Sequence, residues 1–557
     1  MKTRFFTSLL LCCSIFFFCS NLLHAQNAPS GGQVNGNFQM DAQYYQVDSA
    51  IGAYAIPEKM LMNSWTNITY LNGDFSAGLR FETYLNPVSG YYKDLKGSGV
   101  PYWYVGYKSG QFDITAGNFY EQFGSGMVLR SYEEHNLGYD NAIRGVRVKF
   151  TPVKGVVLKG IWGTQRFFWQ QSPGIIRGAD MDVSLNELIN SMSGSKLKIQ
   201  FGGSFVSKYQ EYEEISVGQD STLKLPLNVG AGSGRVTLSY GKFGLGAEYA
   251  YKINDPNAVN KFTFDHGDGL LLNASFSQKG FGIILQAKRL NNMSFKSKRT
   301  ETGNVLDVNY LPAITKQQTY SLAAIYPYAT QPNGEMGLNL QINYNIPKNT
   351  LLGGHYGTDI SLNCSDIYED SKIFDSVAFL TTGIPTYKLN FFQVGSRLYF
   401  RDINLEISHK FNKTFKGSMN LIHQDYDPFV NGHEGEPVIH ANIVIADMTY
   451  KFTPTQALRG EFQYLQTKQD QGSWSMGTLE YSFAPLWFFS IADQWNHGNE
   501  ITSNRYHYPL VAAGYTNNAN RIQVSYGKQR AGIVCVGGVC RPVPASNGFT
   551  ITITSSF

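Results

Sequence analysis

Charged side chains are scarce in this 557-residue chain, at 16%, and past the N-terminus no apolar run approaches the about 20 residues of a membrane-spanning helix. A helical inner-membrane bundle is thereby excluded. Cysteines number only six, too few for a disulfide-dense scaffold of this length. The 10 histidines are scattered, with no H-E-x-x-H pair, no G-x-S-x-G elbow and no phosphate loop. No catalytic, cofactor or metal constellation is therefore spelled out, and the chain reads as a non-enzyme. A formal net charge of +4, spread over 46 basic and 42 acidic residues, leaves no electrostatic footprint for nucleic acid.

What the sequence does contain begins with "MKTRFFTSLLLCCSIFFFCSNLLHA". Two cations, Lys2 and Arg4, precede an apolar stretch from Phe5 to Cys19 and a small residue at Ala25. That is the layout of a secretory signal peptide, and residues 1–25 are assigned to it, with cleavage after Ala25 and a mature chain from Gln26. Phe18 before Cys19 speaks against lipoprotein processing. Cys12, Cys13 and Cys19 leave with the signal, and loss of Lys2 and Arg4 takes the net charge to about +2. The mature chain keeps Cys364, Cys535 and Cys540.

Tyrosine, phenylalanine and glycine are abundant, at 35, 37 and 56, which favours an aromatic, sheet-rich protein. The terminal "GFTITITSSF" shows the pattern. Phe549, Ile551, Ile553 and Phe557 share one face of an extended strand, and Thr550, Thr552, Thr554 and Ser556 share the other. The same alternation recurs in "GLNLQINYN" (337–345), "RVTLSY" (235–240), "TLEYSF" (478–483), "RIQVSYG" (521–527) and "RVKF" (147–150). One such strand fits the outside of a soluble sheet. Many of them, carrying Arg147, Lys149, Glu480 and Arg521 on the face opposite the apolar one, fit a barrel with lipid outside and water inside. A polar lumen also explains a mean hydropathy of −0.23.

Connections alternate in length. Short turns such as "LNGDF" (71–75), "YKSGQF" (107–112) and "YGKFG" (240–244) separate longer polar segments at 45–59, 86–100, 120–141, 209–232, 253–268, 360–390 and 529–547. Aromatics crowd the strand ends in "PYWYVGY" (101–107) and "PLWFF" (485–489). Short turns on one side, long loops on the other and aromatic girdles are the marks of an outer-membrane barrel. The expected fold is all-β: a transmembrane antiparallel up-and-down β-barrel over residues 26–557, with about 26 strands and a range of 22–26. Alternation begins near Val34, leaving no room for a separate N-terminal plug domain. Residues 166–200 and 305–335 are ambiguous in this count.

On these features the sequence resembles Gram-negative outer-membrane barrel proteins. "TITSSF" resembles the terminal signal by which the barrel-insertion machinery recognises its clients, with Phe549, Ile551, Ile553 and Phe557 as its apolar face. The stretches "GNFYEQFGSGMVLRSYEEHNLGYDNAIRG" (117–145) and "GIVCVGGVCRPVPASNGFTITITSSF" (532–557) resemble an uncharacterised Bacteroidota-type family of large, porin-like outer-membrane barrels. The resemblance implies a Gram-negative outer-membrane location and lipid as a partner, and names no cargo.

Two places carry specific expectations. Cys535 and Cys540 flank "VGGV", whose glycines permit a tight reversal, so a structural disulfide is expected; a redox pair is the alternative, and the lack of histidine partners argues against metal. Loop 120–141 holds Arg130, Glu133, Glu134 and Asp140, with Arg144 and Arg147 just beyond. Folded into the lumen, these charges would face one another across a constriction; outside, they are ordinary solvated charges. The function expected is a passive or partly occluded channel for small solutes. The rival is a non-enzymatic platform for a surface lipoprotein or an outer-membrane assembly or secretion machine.

Overall fold

The computed structural model describes residues 31–217 and 221–557; the signal peptide expected at 1–25 lies outside them. Twenty-four strands form one sheet, each antiparallel to its neighbours in the ring, and the last closes on the first. At that seam Gln33–Tyr45 pairs with Ser546–Ser556, from Asn37 opposite Ser556 to Tyr45 opposite Gly548. Phe557 continues the pairing, since its N–H donates to the Gly36 carbonyl at 2.9 Å and its carbonyl accepts from the Gly36 N–H at 2.8 Å. Its ring lies where a Cβ on Gly36 would sit, so only glycine leaves room for it.

The strands are turned inside out relative to a soluble sheet. Leu338 is 57% exposed, whereas its neighbour Asn339 is wholly buried. Trp162, Leu245 and Leu479 likewise point outward, while Asp402, Asn404, Gln463 and Lys288 are buried inside the ring. A period-two chain gives each strand one apolar and one polar face, and closure puts every polar face in one enclosure.

The connections differ as sharply as their sequences. Between Gly97–Ser109 and Phe112–Phe119 only two residues turn the chain, with Gly110 at φ 54°, as tight hairpins require. The opposite end carries the longer segments. The 24 strands fall within the expected range of 22–26; of the long segments, 292–333, which holds most of the ambiguous stretch 305–335, contributes no wall strand and is irregular up to Asn333. The expected loop 360–390 is itself mostly strand. Thr358–Phe374 and Tyr387–Lys410 outrun their neighbours and project as a hairpin tipped by the helix Ser376–Thr382, whose N-cap Asp375 accepts from Ala378 N–H.

Candidate functional site: an occupied lumen

A ring of this size cannot be filled by its own wall side chains. Among the described residues, three inward segments fill much of it, and 253–266 packs against the first of them, Ala258 N–H donating to Arg299 O at 2.8 Å. The first is 292–333. Its ends are neighbours, Asn292 N–H donating to Asn333 O at 3.1 Å and Met293 N–H to Pro332 O at 2.8 Å. Between them the chain crosses the barrel. Gln165 Nε2, on strand Val156–Phe167, donates to Asp307 O at 2.7 Å; Leu322 N–H donates to Gln463 Oε1, on strand Gln456–Gln466, at 2.9 Å. Those two strands stand opposite each other in the ring. Tyr320 and Tyr326 donate to Asp447 and Asp470 on the far side at 3.3 and 3.2 Å.

The second segment is 120–142. It leaves the wall after Phe119 and reaches strand Phe243–Lys252, where Ser125 N–H donates to Glu248 Oε2 at 2.8 Å. It pairs with the first through its backbone: Tyr310 N–H to Gly126 O and Arg130 N–H to Val308 O, both at 3.0 Å. Phe123, Met127 and Leu129 from one segment and Phe295, Val308 and Leu322 from the other belong to one buried apolar cluster with inward residues of the wall. The main apolar core thus lies inside the barrel, and burial of these side chains at roughly 1.5–3 kcal/mol each opposes expulsion of the segments.

The third is a ribbon, Gly532–Val536 against Val539–Val543, with Cys535 and Cys540 directly opposite and their sulfurs bonded. Gly537 and Gly538 turn it at φ 58° and 85°. This tip is gripped by the first segment: Tyr310 Oη donates to Gly537 O at 2.7 Å, and Thr330 N–H to Gly538 O at 3.1 Å. Cys364 is unpaired, on strand Thr358–Phe374, opposite Leu340 and Ile403.

The charges expected to face one another do not. Glu133 and Asp140 both pair with Arg80 of the wall, and Asp140 also with Arg166 at 2.6 Å. Arg166 in turn makes a two-pronged contact with Glu82, at 2.8 and 2.6 Å, and Arg80 reaches Glu82 at 2.7 Å. Arg147 is taken by Glu121 and Asp113 at 2.6 and 3.0 Å. Arg130 lies over the rings of Tyr132 and Tyr310 at 4.6 and 4.1 Å, and Arg144 donates to Pro101 O at 3.4 Å. Glu134 accepts from Asn136 N–H at 3.0 Å and caps the short turn His135–Leu137. The physical reason is proximity of better partners: guanidinium groups already on the wall meet the loop acids as the loop folds in. Burial alone would raise the pKa of Asp140, but Arg166 and Arg80, with the Ala142 N–H and the Tyr120 hydroxyl, hold it below the ordinary carboxylate value.

Glu82, Glu133 and Asp140 converge closely enough to suggest a cation site. Arg80 and Arg166 interleave with them, so guanidinium already supplies the countercharge. Arg80, Glu82 and Arg166 escaped the sequence reading. Arg80 and Glu82, two apart on strand Phe75–Asn86, share its inward face, and that spacing was the available signal.

Space remains beside the filling. A cavity of ≈ 890 Å³ lies between the seam strands and the crossing segment, bounded by Gln39, Asp41, Thr550 and Thr552 on the wall and by Lys316 and Gln317 on the segment.

Over residues 1–557 the chain matches a family described as "Family of unknown function (DUF6029)". No curated protein matches it. Among solved structures it is similar to the P pilus usher (PapC) translocation pore, with a TM-score of 0.44 and 9% identity, over 94% of this chain and 98% of that one. It is also similar to the siderophore receptor PirA from Pseudomonas aeruginosa, with a TM-score of 0.39 and 9% identity over 94% of this chain and 80% of that one. A third similarity is to OpdL of the same organism, with a TM-score of 0.34 and 9% identity over 83% of this chain and 98% of that one.

Proposed function

The chain belongs to the DUF6029 family, and from that premise we propose that it is a partly occluded channel for small solutes in the outer membrane of a Gram-negative cell. Export would follow cleavage near Ala25, and the barrel-insertion machinery would read the terminal strand with Phe557 at its end. The observation that carries this reading is the residual cavity: the crossing segment narrows a wide ring without filling it, leaving a space of mixed polar and apolar lining along one wall. Neutralised charges in loop 120–142 suit a passage of low ionic selectivity better than one with a strong transverse field.

The adjacency of Asn292 and Asn333 supplies the test, because residues 295–330 can be excised and bridged by a short Gly–Ser linker without straining the wall. In planar bilayers the intact protein should show a small, steady conductance, and the excised form a several-fold larger one, with both running as heat-modifiable barrels. A closed intact protein beside an open excised one would turn the reading into the platform hypothesis, and closure of both would end the channel.

One observation favours that platform as a second reading. The projecting hairpin carries Ile373, Phe374, Val377, Leu380 and Phe392 in exposed positions, Phe392 at 83% and Leu380 at 85%. Apolar side chains displayed beyond the neighbouring strands suit contact with a surface lipoprotein.

A further inference from the structure

The projecting hairpin does not stand clear of the barrel. It leans across the rim onto the outside of strands Phe243–Lys252 and Phe281–Asn291. Thr386 Oγ1 donates to Asp265 Oδ1 at 3.1 Å and Tyr387 Oη to Asn291 Oδ1 at 2.7 Å, while the Phe391 ring lies 6.5 Å from that of Tyr249. Tyr249 shares the outward face of its strand with Leu245. Under Phe391 sits the Arg289 guanidinium, 3.9 Å from the ring centre and paired with Asp268. Both charges belong to the outward face of the wall: Arg289 is in line with exposed Leu285, and Asp268, on strand Gly267–Gln278, with exposed Leu272. Yet each is only 4% exposed.

The height of this contact follows from the aromatic girdle at the short-turn end. Phe243, Phe276, Phe281 and Tyr344 form a run of rings on adjacent strands, at successive separations of 4.9, 6.1 and 6.2 Å, and mark the lower edge of the lipid band. Tyr249 is six residues on from Phe243, about 20 Å along the strand and about 15 Å in height at the usual barrel tilt. Arg289, eight residues on from Phe281, stands about 20 Å higher than that ring. The apolar band of such a barrel is about 25 Å tall, so both lie in its upper part. Charge on the lipid face is unfavourable there unless protein covers it, and the hairpin lays a ring over it. At that level or just beyond, the hairpin shows lipid its own apolar side chains: Phe392, whose ring is 4.9 Å from that of Phe391, and Ile373, Val377 and Leu380 toward the tip, all exposed. We propose that the hairpin is a membrane-contacting arm, with Phe391 sealing the outward charges of the wall and Phe392 and the tip resting in the outer leaflet. Lipid is the occupant because the apolar patch is continuous, through Phe391 and Tyr249, with the lipid-facing wall. The inference rests on the outer-membrane reading and not on conduction.

The test uses the full mature barrel carrying Cys364→Ser, so that with Cys535 and Cys540 bonded an introduced cysteine is the free thiol. A nitrobenzoxadiazole label is placed singly at Phe392→Cys on the arm, at Leu245→Cys on the lipid-facing wall, or at Glu434→Cys in an exposed loop. Each protein is reconstituted into phosphatidylcholine–phosphatidylglycerol vesicles and quenched either by a doxyl lipid labelled near the headgroup or by iodide on both sides of the membrane. The doxyl lipid should remove most of the emission at positions 392 and 245 and little at 434, and iodide should do the reverse. Phe391→Ser added to Phe392→Cys should make the arm label iodide-sensitive while the barrel keeps its heat-modifiable form; unchanged quenching in that variant would overturn the seat assigned to Phe391. A label at 392 quenched by iodide and not by lipid, beside a wall label quenched by lipid, would overturn the inference, leave the membrane reading standing and return the apolar side chains to the platform. A wall label that lipid does not quench would end the membrane reading and the arm with it.

Discussion

Arg166→Met is the sharpest probe of how the loop 120–142 is held. Arg166 and Glu82 have side chains 3% and 1% exposed, and the guanidinium meets the carboxylate along both prongs while also reaching Asp140. Two guanidinium groups, Arg80 and Arg166, here serve three carboxylates, Glu82, Glu133 and Asp140. Methionine keeps much of the length and removes the charge, leaving one guanidinium among three acids, of which Glu82 is wholly buried and Asp140 nearly so. Removing one partner of a buried pair costs about 3–5 kcal/mol, which shifts the balance between a docked and a released loop by on the order of 10² to 10⁴. Single-channel recording should show this as new open events of larger conductance, and limited proteolysis as cleavage within 120–142 that is absent in the wild type. Glu82→Gln added to Arg166→Met restores the original charge balance of the cluster, and should return both readouts most of the way. If Arg166→Met gates and resists protease like the wild type, the network does not hold the loop and the energetic reasoning fails.

Other expectations follow from the same structure. Deleting Phe557 strips Gly36 of two backbone bonds and the ring above it, roughly 1 kcal/mol for each bond, and should lower the yield of folded, heat-modifiable barrel; undiminished yield would make the residue incidental. Cys535 and Cys540 should resist alkylation in native membranes until reduced, while the double serine variant still inserts and loses on the order of 2 kcal/mol from so small a ring; free thiols without reductant would contradict the bonded pair. Asp140, held below the ordinary carboxylate value, contributes stability that is fully present above about pH 4 and is lost as pH falls through its depressed value. Conductance should therefore stay level from neutrality to about pH 4 and rise in stronger acid; Asp140→Asn should instead hold the loop weakly at every pH, and an identical acid response in that variant would assign the transition to another group.

The wall was legible because its signal is local. Leu338 and Asn339 differ in polarity one residue apart, and such alternation needs nothing but period two and a boundary between lipid and water to become a strand with two faces. Phe557 was legible for the same reason. The contents of the lumen were not. Arg80, Glu82, Glu133, Asp140 and Arg166 meet only when two wall strands, one irregular loop and a third strand are closed into a ring, so spacing along the chain gave Glu133 the wrong partners. The segment 292–333 posed a different difficulty: without period two its stretch 305–335 stayed ambiguous, which left the strand count a range of 22–26 that the 24 observed strands fall within. Its length without regular structure was itself the clue, since long irregular connections are uncommon unless they do something.

The seam between the first and last strands has a consequence for how the molecule comes into being. Asp41 and Thr552 are 511 positions apart, yet they touch. Loop-closure entropy grows only with the logarithm of separation, so bringing such distant partners together costs about 5 kcal/mol, less than the many backbone bonds of the completed seam return. Until that moment both edge strands present unpaired backbone, an invitation to the wrong neighbour. The crossing segment leaves and rejoins the wall at one mouth, through the adjacent Asn292 and Asn333, so it can settle into the lumen as a loop whether or not the ring is already complete. Seam and filling are separate closures, and the topology ties neither to the other.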